Sequence, residues 1–237
     1  MRKLWIVIAA LIAVGAASNV NADTTYNMVT GFSNTSNPNG VWTYEYNGTA
    51  FTDAQGISSA LPGWYNGGTQ PNSIVILQNV TGSAFVNLTV TDPTNTLYLD
   101  PQSGSVAVLF TAPSAGTYTI AGNFLGIDKF ENSHPVSILD NGLVVWSGTI
   151  ASYGTDDSFN FAETLKAGDT ISFDMGTGSG GSCFYCNLGT ALSGTVTESS
   201  PTATPEPGTL GLMLAGIGAL FAVMAARRKG QGLQRAV

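Results

Sequence analysis

Apolar and polar residues alternate with a period of two over much of this chain, the spacing that turns one face of an extended strand to a core and the other to solvent. Ser105 to Thr111 sets Val106, Val108 and Phe110 against Ser105, Ala107 and Leu109. Gly116 to Phe124 sets Tyr118, Ile120 and Gly122 against Thr117, Thr119 and Ala121, and Thr170 to Met175 carries Ile171, Phe173 and Met175 on one face. Pro135 to Leu139 and Leu143 to Ser147 flank Asp140-Asn141-Gly142, whose residues accept the positive φ of a tight hairpin. Val41 to Tyr46 alternates so that Trp42, Tyr44 and Tyr46 share an aromatic face. Further strands are expected over Tyr26 to Phe32, Ser73 to Gln78, Ala84 to Val90, Asn95 to Asp100, Phe159 to Leu165 and Thr190 to Val196. Asn47 to Pro71 is poorly periodic and reads as irregular. About ten strands with frequent turn signals predict an all-β fold, an antiparallel β-sandwich of jelly-roll type.

The alternation stops at both ends. Met1-Arg2-Lys3 precedes the apolar stretch Leu4 to Ala17, and Val20-Asn21-Ala22 supplies small residues for cleavage. Residues 1–22 therefore read as a secretory signal peptide, too short in its apolar part for a membrane helix. At the other end Leu210 to Ala226 is uncharged over 17 residues. As a helix it reaches roughly 26 Å, against about 30 Å of hydrocarbon, so 210–226 is expected to just span a membrane. Pro205 and Pro207 keep a helix from extending upstream, and Arg227, Arg228 and Lys229 hold the far end on the cytoplasmic side. Residues 23–200 are then one domain, 201–229 a linker with the tail signal, and 230–237 a short cytoplasmic tail.

Charge separates the exported part from its ends. All 15 acidic residues lie between Asp23 and Glu206, with Lys129 and Lys166 as the only basic ones there. Nucleic acid is excluded as a partner, because phosphate binding needs clustered Lys and Arg. The domain is rich in Gly, Thr, Ser and Asn, as short strands joined by turns require.

Pro205-Glu206-Pro207, a short Gly/Leu/Ala helix and Arg227-Arg228-Lys229 near the C-terminus resemble the PEP-CTERM sorting signal of Gram-negative bacteria. The resemblance implies an exosortase partner, an integral-membrane cysteine transpeptidase that cuts near Pro-Glu-Pro, and a host that makes an extracellular polysaccharide matrix. It implies passage through the inner membrane, anchoring before processing, and then a place at the cell surface or in the matrix. Asn37-Pro38-Asn39-Gly40-Val41-Trp42, Val106 to Tyr118, Gly126-Ile127-Asp128, Asn141-Gly142 and Leu165 to Ile171 look like a module of exported PEP-CTERM proteins. That module is similar in strand pattern to the jelly-roll sandwiches of carbohydrate-binding modules. It brings no activity with it.

Chemistry is sparse. Cys183 and Cys186 are the only cysteines of an exported chain and are expected to pair in a local disulfide. Zinc would need about four ligands, and a thioredoxin-like role needs a βαβ context. Gly176-Thr177-Gly178-Ser179-Gly180-Gly181 fits a dinucleotide fingerprint in letters only, since no helix follows it. His134, the single histidine, reads as structural. Calcium is the better metal candidate, with Asp128, Glu131, Asp156 and Asp157 as hard oxygen ligands, against the plainer reading of solvated loop acids. Trp64, Tyr65, Phe184 and Tyr185 lie in Gly-rich loops and are the candidate glycan contacts, although aromatic residues of a sandwich are more often core. The expected function is a non-enzymatic exported surface or matrix protein. The alternatives are a carbohydrate-binding module for extracellular polysaccharide and a polysaccharide-acting enzyme.

Overall fold

The computed structural model describes residues 22–55, 58–66, 74–177, 187–200, 214–221 and 223–224. The chain divides into two units, Asp23–Ser199 and a second made of the two chain ends. In the first the strands are β1 Thr24–Asn27, β2 Trp42–Tyr46, β3 Thr49–Ala50, β4 Gly63–Asn66, β5 Ile74–Gln78, β6 Phe85–Asn87, β7 Val90–Asp92, β8 Leu97–Asp100, β9 Ser105–Thr111, β10 Gly116–Gly126, β11 His134–Asp140, β12 Leu143–Ile150, β13 Asp156–Leu165, β14 Thr170–Gly176 and β15 Thr190–Glu198.

Two antiparallel sheets form the expected sandwich. One runs β13-β10-β15-β8-β5-β4, with β1 added beside the second half of β15, and the other runs β12-β11-β14-β9-β2-β3. The alternating residues meet between them. Trp42, Val108, Phe110, Ile171 and Phe173 come from one sheet and Tyr118, Ile120, Phe124, Phe159 and Leu192 from the other. Phe110 and Tyr118 make an edge contact across the layers at 5.8 Å, and Phe159 lies 5.7 Å from Phe173. The Asp140-Asn141-Gly142 turn behaves as its residues require, with φ of 48° at Asn141 and 81° at Gly142.

Ile74-Val75-Ile76-Leu77 is apolar without alternation because β5 is covered on both faces. Ile76 joins the core between the sheets, whereas Val75 and Leu77 join Tyr98, Leu61, Ile127 and Ala191 in a second cluster. Phe85 and Val90, from the β6-β7 hairpin, pack against this outer cluster. Expected strands were corrected at two points. Tyr26 to Phe32 stops at Asn27, whose Oδ1 accepts the backbone N–H groups of Val29 and Thr30, both at 2.9 Å, and turns the chain. Ala84 to Val90 breaks at Leu88, held at a φ of 52°, and becomes the β6-β7 hairpin.

Gly122 faces Gly194 across β10 and β15. A Cβ at Gly122 would lie 2.7 Å from Cζ of Phe159 and press on the Ser193 carbonyl oxygen. Gly122→Ala should therefore cost about 1–3 kcal/mol through overpacking, read as a lower melting temperature; an unchanged melt would refute the close packing.

In the second unit, residues 214–221 are helical. Leu214, Ile217, Leu220 and Phe221 are all exposed on it. No helix among the described residues is long and apolar enough to cross a membrane.

Candidate functional site

Asn47 and Gly48 both hold positive φ, at 48° and 71°, and fold β2 back as β3. β3 pairs for two residues only, through Glu45 with Ala50 and Tyr46 with Thr49. Beyond it the chain crosses toward the other sheet, where the N–H of Tyr65 on β4 donates to the carbonyl of Asp53 at 3.0 Å. β3 and β4 each end their own sheet. Where these edges meet, a cleft of about 540 Å³ opens, lined by side chains that include Tyr46, Asn47, Thr49, Asp53, Tyr65 and Asn66. Its aromatic walls are fixed by their surroundings. The Tyr46 hydroxyl is 2.9 Å from Oγ of Ser103, and its ring packs on buried Phe51 at 6.5 Å. Asn47 is pinned through Oδ1, which accepts the Ser105 N–H at 2.9 Å, and Gly104 leaves room for its amide. Among the described residues no lysine, arginine or histidine lines this cleft.

Trp64 and Tyr65, expected together as glycan contacts, point to opposite sides of β4. Trp64 is 3% exposed, and its Nε1–H donates to the Ser33 carbonyl at 2.7 Å while its ring stacks near Tyr44. That ring has no free face, so Trp64 is corrected to a core residue. Tyr65 is half-buried and lines the cleft. Phe184, Tyr185, Cys183 and Cys186 lie outside the described residues, as do the signal peptide apart from Ala22, the sorting residues Pro205, Glu206 and Pro207, and Arg227, Arg228 and Lys229.

A second concentration of chemistry sits beside the outer core cluster. Asp100 on β8 is buried and accepts from the Tyr98 hydroxyl and from Nε2 of Gln102, each at 3.0 Å. Asp128 organises its own loop by accepting the Phe130 N–H at 2.9 Å and the Thr89 hydroxyl at 3.1 Å. Glu131 accepts the Asp128 N–H through Oε2 at 2.9 Å, and its Oε1 is buried 3.6 Å from Nδ1 of His134. His134 donates from Nδ1 to the Asn132 carbonyl, so Nε2 takes the hydroxyl proton of Thr190, both at 2.8 Å. The histidine is structural, and burial holds its pKa below the usual value. Burial also pushes Glu131 up to about 8, Asp92 on β7 up to about 7 and Asp100 up to about 6. For Asp100 the hydrogen bonds from Tyr98 and Gln102 pull the other way.

The four acids expected to share calcium do not converge. Asp128 and Glu131 meet, but Asp156 accepts from Nδ2 of Asn123 at 2.8 Å and Asp157 from the Thr149 N–H at 3.0 Å. Among the described residues no three His, Cys, Asp or Glu side chains are grouped to hold a metal ion. A further acid pair escaped the sequence. Glu45 on β2 and Asp174 on β14 flank Ala107 of β9 in register. Burial raises both pKa values, and the charge of Asp174 raises that of Glu45 further.

Comparison with known proteins decides one part of the chain. Residues 203–229 match the PEP-CTERM protein-sorting motif. This chain carries a PEP-CTERM signal. The motif is one of protein sorting. No curated protein matches the chain. Among solved structures, a family 35 carbohydrate binding module from Clostridium thermocellum is 14% identical, covering 76% of this chain and 100% of its own, at a TM-score of 0.31. A family 35 module from Paenibacillus barcinonensis is 13% identical, covering 75% and 99%, at 0.30. A cleaved adhesin domain of Lys-gingipain from Porphyromonas gingivalis is 11% identical, covering 76% and 100%, at 0.39. At such scores these likenesses carry no argument about what this PEP-CTERM chain binds.

Proposed function

We propose that this chain is a non-enzymatic exported protein, delivered through its PEP-CTERM signal to the cell surface or extracellular matrix with exosortase as its processing partner. The carrying observation is the sorting motif at 203–229. An uncharged run over 210–226 agrees with it, because a helix apolar on every side needs a cover other than water. The exposed Leu214, Ile217, Leu220 and Phe221 are that kind of surface. A membrane anchor held until cleavage meets the need. The non-enzymatic reading is supported by the placement of the most perturbed acids. Asp92, Asp100 and the Glu131 side chain are shut away from solvent, where no substrate reaches them.

Peptide and intact mass spectrometry of the protein from its own envelope and matrix tests this. The expected species begins near Asp23 and ends near Pro205-Glu206-Pro207, and replacing those three residues with alanine should leave the chain full length in the membrane fraction. A surface species that retains Leu210 to Arg228 would overturn the processing step.

A second reading is favoured by the cleft between β3 and β4: the domain holds extracellular polysaccharide. Tyrosine rings with adjacent amide and hydroxyl groups give the mixed apolar and polar lining that small-ligand sites use.

A further inference from the structure

Resting on the reading that the domain holds polysaccharide, we propose that the cleft between β3 and β4 is the binding site and that it selects neutral glycans over anionic ones. The aromatic groups on the lining are buried Phe51 and the half-buried Tyr46 and Tyr65, the two tyrosines each packed on one side against a core cluster. A sugar ring has an apolar C–H face that lies on such a surface, and equatorial hydroxyls that need paired donors and acceptors at its rim. Asn47, Thr49 and Asn66 supply those pairs on the lining. The Oδ1 of Asn47 is already engaged by the Ser105 N–H, which fixes this side chain in place.

Charge sets the selectivity. Among the described residues of the lining the one Asp, Glu, Lys, Arg or His is Asp53, which is exposed and 3.4 Å from Nε2 of Gln55. With a carboxylate and no cation among the described lining residues, a uronic acid, sulfate or phosphate group would enter against like charge, within a domain that holds fourteen of the chain's fifteen acidic residues and two lysines. A neutral hexose meets no such opposition, and Asp53 can accept from two of its hydroxyls. The site is also built on structure rather than on a loose loop. One wall runs from the end of β2 through β3 to Asp53 and the other is β4, and the hydrogen bond from the Tyr65 N–H to the Asp53 carbonyl joins them.

The test is affinity electrophoresis of the processed protein recovered from the envelope, in gels holding galactomannan, glucan and xylan as neutral probes and alginate and polygalacturonate as anionic ones. Retardation by at least one neutral probe and by neither anionic one is expected. Tyr65→Ala should weaken binding about tenfold, a loss of about 1.4 kcal/mol. Asn66→Ala, an exposed position, should weaken it about threefold. Tyr153→Ala, an exposed tyrosine outside the cleft, should leave it unchanged. Neutral binding that survives both cleft substitutions overturns the site and leaves the polysaccharide reading standing. Retardation by the anionic probes alone overturns the selectivity. No retardation in any gel removes the polysaccharide reading and this proposal together.

Discussion

Raising the pH from 5 to 8.5 should lower folding stability on the order of 5 kcal/mol, because three buried carboxyls keep their protons in the folded chain well past the pH at which the unfolded chain gives them up. Asp100, Asp92 and Glu131 are pushed to about 6, 7 and 8, in each case chiefly by burial. Unfolded, they titrate near 4. Between those limits the folded state binds more protons, so stability falls as pH rises, and each unit of difference is worth about 1.36 kcal/mol. Asp174, Glu45 and Asp140 are also raised and act in the same sense. His134 works against them below about pH 6.5, where the unfolded histidine takes a proton that burial denies the folded one. For a domain of this size a loss of 5 kcal/mol lowers the melting temperature by about 10–20 °C. Thermal melts across the range at constant ionic strength measure it directly. Asp92, whose Oδ2 is buried without a hydrogen-bond partner, is the separating variant: Asp92→Asn should remove its share of the slope and raise stability at pH 8.5. A melting temperature that is flat or rises with pH would refute the assignment of these protons.

Whether a feature could be read in advance depended on whether its cause lay in neighbouring residues. β9, β14 and the β11-β12 hairpin were legible because alternation and an Asn-Gly turn are local facts. Asn47-Gly48 carries the same turn signal, yet β3 is only two residues long and leaves no alternation to notice. β4 was hidden for a related reason. Within Gly63-Trp64-Tyr65-Asn66 a single alternation separates a core indole from a cleft tyrosine, and the pairing with β5 that fixes their directions is not written in those four letters. Asp128 and Glu131 were singled out as hard ligands when their oxygens mostly satisfy backbone N–H groups of their own loop. Asp100 stood at the end of an expected strand. Its proximity to Tyr98 follows from two-residue spacing on β8, but its burial comes from the hairpin and loop that cover that face. The cleft needed the meeting of two sheet edges, which no stretch of sequence states. The sorting motif, by contrast, is read by a partner as linear chain, and its three parts stand in order within 203–229.

Trp64→Ala should destabilise the domain by about 3–5 kcal/mol, the cost of emptying a core site of a large aromatic ring. Three losses combine there. The indole is 3% exposed and belongs to the cluster between the sheets, its Nε1–H satisfies the Ser33 carbonyl, and its ring lies 6.3 Å from Tyr44, which is itself fully buried. Removing it leaves a cavity beside Tyr44 and a carbonyl without its donor. The melting temperature should fall by about 6–20 °C. Its neighbour gives a smaller loss, because Tyr65 is half-buried at a sheet edge, where it packs against the outer cluster and lines the cleft. Tyr65→Ala should cost about 1–2 kcal/mol of stability, less than Trp64→Ala, and should weaken ligand binding in a domain that still folds. The pair therefore separates fold from recognition within two adjacent residues. Loss of glycan retention in Trp64→Ala, taken alone, would report unfolding, and only a parallel melt distinguishes the two. If Trp64→Ala melted like the parent while losing retention, the indole would have to reach the ligand, and the core assignment made from its burial would be wrong.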